Sequence, residues 1–192
     1  MTNNRIKNQI NKNTKHDIYD TVLINQLIDE NKWPDFPDLI VDLAKIAHEA
    51  FIKDTIEGYL AAVLIYQQII EESVRILIRL STLYLRGQIW PSVIDFKVND
   101  EEISFGQLLG ELKRGVKFDM RKEFINKCNE LNSIRIKFVH KLTKMNLNEI
   151  KVKAQSVKKL FNEILDLFEI GSSYYLRLLE DLNHSIDWKD MI

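Results

Sequence analysis

Residues 54–86 read DTIEGYLAAVLIYQQIIEESVRILIRLSTLYLR. Ile56, Leu60, Val63, Ile70, Val74 and Leu77 recur there at helical spacing for about eight turns, the pattern of a helix with a long apolar stripe. Asp54 with Glu57 has the spacing of a capping pair at its start. Gly87 and Pro91 stand where the helix is expected to close. A stripe of that length cannot be left in water, so other helices must cover it.

The flanking sequence supplies them. Upstream, an amphipathic stretch over 17–32 carries Ile18, Val22, Leu27 and Ile28, and Trp33-Pro34-Asp35-Phe36-Pro37 ends it. Pro37 suits the first turn of a second helix, where its missing N–H costs nothing. That helix carries Leu39, Leu43, Ile46, Ala50 and Phe51. Downstream, 88–103 is the least periodic part, and Val93, Ile94, Phe96 and Val98 suggest a short hairpin or a packed loop. Ser104 with Gln107 is a capping pair that opens a short helix through Leu112. A further helix is expected over about 119–145. Asn146 with Glu149 caps the last, which runs past Leu182 with Gly171-Ser172-Ser173 as a candidate kink.

The 192 residues contain only six glycines and three prolines, so turns are few and helices long. No repeat, low-complexity block or linker interrupts them. The expected fold class is all-α, a helical bundle of five to six helices. Residues 17–192 form its single domain, and 1–16 (MTNNRIKNQINKNTKH) a polar N-terminal tail or helix extension. Strands do not alternate with helices, which argues against an α/β nucleotide fold.

Composition narrows the function classes. Hydrophobic residues make up 45%, enough for a sizeable core. With 27 basic against 28 acidic residues the net charge is −1. That balance argues against broad capture of nucleic acid or membrane and leaves room for a local basic patch. The single cysteine, Cys128, excludes an internal disulfide and a multi-cysteine zinc site and fits a reducing compartment. With no membrane-spanning run and no signal-peptide pattern, a cytoplasmic location is expected. No HExxH, phosphate loop, Ser/His/Asp signature or zinc spacing occurs, so no metal or other cofactor is expected.

The chemistry-bearing segment is LNSIRIKFVHK, residues 131–141. At about 100° per residue, Phe124, Cys128, Leu131, Phe138 and Leu142 form one apolar stripe, and Arg135 falls inside it. A buried unpaired charge costs several kcal/mol, of the order expected for an uncompensated ion, so Arg135 needs a carboxylate, a phosphate or a water-filled cleft. Glu71 or Glu72 of the long helix could supply the carboxylate. His140 lies about 140° further round, beside a second apolar edge of Ile125, Ile136 and Val139 that suits a second subunit. Taken by itself it reads as a helix-surface histidine. Glu71 and Glu72, about 100° apart, do not make a metal pair. His16 and His48 read as surface or packing residues, Cys128 as core, the lysines of 151–159 as a solvated face, and Tyr174, Tyr175 and Leu178 as helix packing or a dimer seam.

The Arg135-x4-His140 pair resembles the Rx4-6H motif of the HEPN superfamily. AAVLIYQQIIEESVRILI (61–78) resembles that family's long helix with an acidic residue, best matched by Glu71. SFGQLLGEL (104–112) resembles a helix that often precedes the motif. The HEPN-like core would span about 54–185. The resemblance implies a dimeric helical bundle that brings two Arg/His pairs into one cleft. Many members are metal-independent ribonucleases of toxin, antiviral-defence or RNA-processing systems. Arg135 and His140 would then be catalytic and Glu71 a supporting acid. Lys137, Lys141 and Lys144 would contact the RNA backbone. The partners implied are a second copy, RNA and a cognate antitoxin or regulatory protein, with no membrane. Two positions depart from the pattern: Ile136 stands where active members often carry a polar residue, and Leu142 where a subgroup carries a modified tyrosine. The helical layout also resembles the mannitol operon repressor family, which implies the alternative of a non-catalytic regulator or protein-interaction module.

Overall fold

In the computed structural model, residues 21–90, 92 and 103–185 are described, and they form six α-helices and no strand. These are α1 (21–28), α2 (Leu39–Ile52), α3 (Ile56–Ile89), α4 (Phe105–Gly115), α5 (Arg121–Lys141) and α6 (Leu147–Ser185). The expected all-α bundle is the architecture observed. The tail 1–16, Ile18 and the hairpin or loop read at 93–98 lie outside the described residues.

α3 is the axis of the bundle. Its 34 residues reach about 50 Å at the helical rise, and α2, α4, α5 and α6 all pack on it. α6, the longest helix, covers α3 most extensively and also receives α5. Tyr59, Ile70 and Leu77 of α3, Leu108 and Leu112 of α4, Phe124, Leu131 and Phe138 of α5 and Ile164 of α6 are buried in one hydrophobic cluster. Each such side chain stabilises the fold by about 1.5–3 kcal/mol relative to exposure. Tyr66 stacks on Phe161, with ring centroids 4.3 Å apart, and fixes the register of α3 against α6.

The helix ends follow the sequence in two cases and depart from it in four. Ser104 and Gln107 form a complete capping box on α4. Asn146 and Glu149 exchange backbone N–H to side-chain bonds of 3.0 Å at the start of α6. The cap of α3 falls one residue later than the Asp54/Glu57 spacing suggests. Thr55, extended at φ −118°, accepts from the Gly58 N–H. Asp54 instead turns the chain at φ 53° and receives Lys151 and the Tyr59 hydroxyl. Pro37 precedes the cap of α2 rather than entering its first turn, because the helix starts at Leu39. Gly87 does not stop α3. It lies inside the helix, where Leu27 of α1 and Leu182 of α6 occupy the space a side chain would need. α1 ends before the amphipathic stretch does. After residue 28 the chain continues as a 3₁₀ turn, Glu30–Lys32, capped by Asp29.

Gly171 does not interrupt α6. A β-carbon there would lie 3.0 Å from the Phe118 ring and 3.1 Å from Leu77, so glycine permits close packing. Two lysines of the segment read as a solvated face also make contacts across the bundle. Lys151 pairs with Asp54 at 2.8 Å, and Lys158 lies 4.5 Å over the Phe51 ring. Among the described residues, no helix is long and apolar enough to cross a membrane.

Candidate functional site

α5 carries both residues of the Arg-x4-His pair. Its entry is fixed by Met120 in the left-handed region, φ 64°, and by Arg121, which donates to the Lys113 and Val116 carbonyls at 3.1 and 2.8 Å. Phe124, Cys128, Leu131 and Phe138 are fully buried, as their stripe predicts. Burial pushes the Cys128 thiol far up, so it is a core group rather than a nucleophile.

Arg135 is only half-buried. Leu131 and Phe138, seven residues apart, keep the direction of the core, and Arg135 lies about 40–60° to the side of both. Its stem follows the margin of the apolar stripe. Nη1 donates to Asn132 Oδ1 at 3.4 Å, a long bond. Among the described residues no carboxylate lies within ion-pair distance of the guanidinium. Glu71 is engaged elsewhere: Arg75, one turn on, donates to it at 2.6 Å. Glu72 takes Arg79 at 3.0 Å. These four charges of α3 therefore neutralise one another, and neither acid serves as the counter-ion of Arg135.

His140 is exposed, as are Lys137, Lys141 and Lys144. Between Arg135 and His140 around the helix lie Ile136 and Val139, 43% and 45% exposed. Arg135 and His140 thus flank an apolar strip and do not touch within one chain. Of the second apolar edge, Ile125 packs against the core while Ile136 and Val139 face outward.

Past His140 the chain makes a 3₁₀ turn, Leu142–Lys144, and enters α6. A depression of about 600 Å³ opens there, with Lys141, Lys144 and Lys153 among its walls. Sequence reading placed Lys153 on a solvated face. The signal for it is local composition: residues 135–153 hold six basic side chains and one acid, Glu149. A second depression of about 510 Å³ lies between α2 and α6, lined by Ile40, Val41, Ala44, Ile69, Phe161 and Leu165 among others. His48 is exposed at its edge, 3.5 Å from the Lys158 ammonium.

Tyr175 is buried, and its hydroxyl bonds both the N–H and the carbonyl of Lys117 at 3.0 Å. It is a packing residue. Tyr174 beside it is exposed.

Family models, curated proteins and solved structures were each compared with the chain, and none matches.

Proposed function

We propose that the protein is a HEPN-type, metal-independent endoribonuclease that acts as a homodimer in a reducing, intracellular compartment. The observation that carries this reading is the arrangement on α5. Arg135, without a carboxylate partner among the described residues, and His140, exposed to solvent, flank the outward-facing Ile136 and Val139. A second copy seated on that strip would bring two Arg/His pairs to the edges of one seam. Histidine suits proton transfer near neutral pH. In this mechanism it takes the proton of a ribose 2′-hydroxyl. The 2′-oxygen attacks the adjacent phosphorus, the P–O5′ bond breaks, and the 5′-oxygen leaves with the proton that the imidazolium gives back. Arg135 clamps the phosphate and stabilises the charge that builds on its oxygens.

The test is the product. Cleavage should proceed in EDTA, leave a 2′,3′-cyclic phosphate and a 5′-hydroxyl, and spare DNA, which lacks the nucleophile. Products ending in a 5′-phosphate would contradict the mechanism.

A second reading is a non-catalytic helical regulator that acts by protein contact, with a layout like that of the mannitol operon repressor family. It is supported by α2, whose Leu39, Val41, Ile46 and Ile52 all face solvent. On this reading, α2 substitutions and not His140 substitutions would abolish function.

A further inference from the structure

The ribonuclease reading puts Lys141 and Lys144 on the RNA backbone, but it gives no role to the depression they border at the α5–α6 turn or to Lys153 in its wall. We propose that it is a subsite for the phosphodiester backbone of a single-stranded RNA, held by Lys144 and Lys153 on one side of the cleavage point. The inference rests on that reading for the identity of the polyanion.

Three observations carry it. The first is charge imbalance. The chain is balanced overall, yet residues 135–153 contain six basic side chains against one acid. The second is the absence of local neutralisation. Lys127, Lys151 and Lys159 of α5 and α6 each meet a carboxylate. Among the described residues, Lys137, Lys141, Lys144 and Lys153 meet none within 4 Å. The acid in the wall, Glu149, already accepts the Asn146 backbone N–H. The third is shape and position. The lysines border a concavity of about 600 Å³. It follows from His140 along α5: Lys137 and Lys141 are one turn apart on one side of the helix, and Lys144 and Lys153 continue beyond it. Unpaired ammonium groups spaced along a path suit a chain of phosphates, which lysine binds as point charges without reading the bases.

The experiment is equilibrium binding of a fluorescein-labelled 12-nucleotide single-stranded RNA, followed by anisotropy from 50 to 200 mM KCl. It uses full-length His140→Ala protein so that the probe stays intact. Adding Lys144→Gln and Lys153→Gln should weaken binding several-fold and flatten the plot of log affinity against log salt by about 0.7 per lysine removed. Lys144→Arg with Lys153→Arg should restore both. A DNA strand of the same sequence should show the same lysine dependence, because the contacts are to phosphate. An affinity and a salt slope unchanged by the two glutamines would overturn the subsite, as would the absence of salt-dependent RNA binding by the parent protein. Failure of the catalytic reading shows separately, as wild-type protein that binds the RNA through these lysines but does not cut it.

Discussion

Glu71 accepts a 2.6 Å charge-assisted hydrogen bond from Arg75, one turn further along the same helix. That pairing leaves the Arg135 guanidinium with Asn132 alone among the described residues. Removal of Arg135 therefore strands no acid. Arg135→Ala should shift stability by no more than about 0.5 kcal/mol, the usual range for a surface change. That corresponds to about 1–2 °C in Tm for a chain of this size. The same variant should lose RNA cleavage. A melting scan beside an activity assay checks both. A Tm loss of several degrees would mean that the side chain is structural.

Gly58 should resist substitution. A β-carbon there would collide with the backbone carbonyl oxygen of Ala50, which cannot move aside as a flexible side chain could. Overpacking of this kind costs about 1–3 kcal/mol, more than the ~1 kcal/mol that alanine gains over glycine inside a helix. Gly58→Ala should lower the urea midpoint with an unchanged m-value. A rise in the midpoint would show that α2 and α3 are less tightly apposed.

The clasp between Asp54 and Lys151 should give a defined pH signature. The Lys151 ammonium, and after it the Tyr59 hydroxyl, hold the Asp54 carboxyl below its ordinary range. The same hydrogen bond raises Lys151. A depressed carboxylate contributes stability above its unfolded pKa and loses it as pH falls through the lowered folded value. A raised amine contributes below its unfolded pKa and loses it at higher pH. The stabilisation should therefore be flat from about pH 5 to 9 and fade below about pH 4 and above about pH 10. Asp54→Asn keeps a residue that tolerates positive φ. It should melt below wild type at pH 7, and the two curves should converge towards pH 3.

Most of the bundle was legible in the sequence because helical periodicity and capping boxes are local signals. The stripes of α3 and α5 and the Ser104 and Asn146 caps report packing and hydrogen bonds that lie within a few residues. Partners distant in sequence were not legible. Asp54 reads as a cap until Lys151 arrives from α6, and Gly87 reads as a stop until Leu27 and Leu182 press against it. At the site, the placement of Cys128 and Phe138 followed from the stripe. The pairing of Glu71 did not, because Arg75 and Arg135 are equally plausible partners in sequence and only the fold decides between them.

The outward Ile136 and Val139 lead to a prediction about assembly. Light scattering at micromolar concentration should give twice the chain mass. Val139→Asp should give a monomer, because a charge would be buried at the seam. It should also abolish cleavage while leaving the helical circular dichroism spectrum intact. A wild-type monomer, or a variant that cuts RNA as a monomer, would count against the two-copy cleft.

The most direct measurement is the single-turnover rate of RNA cleavage in EDTA by wild-type and His140→Ala proteins. His140 is exposed and its removal opens no core cavity, so the variant should fold and melt like wild type. Loss of a positioned proton-transfer group should slow cleavage by about 10²–10⁴-fold. A folded His140→Ala protein that cuts at the wild-type rate, or cleavage that strictly requires added magnesium, would contradict the account.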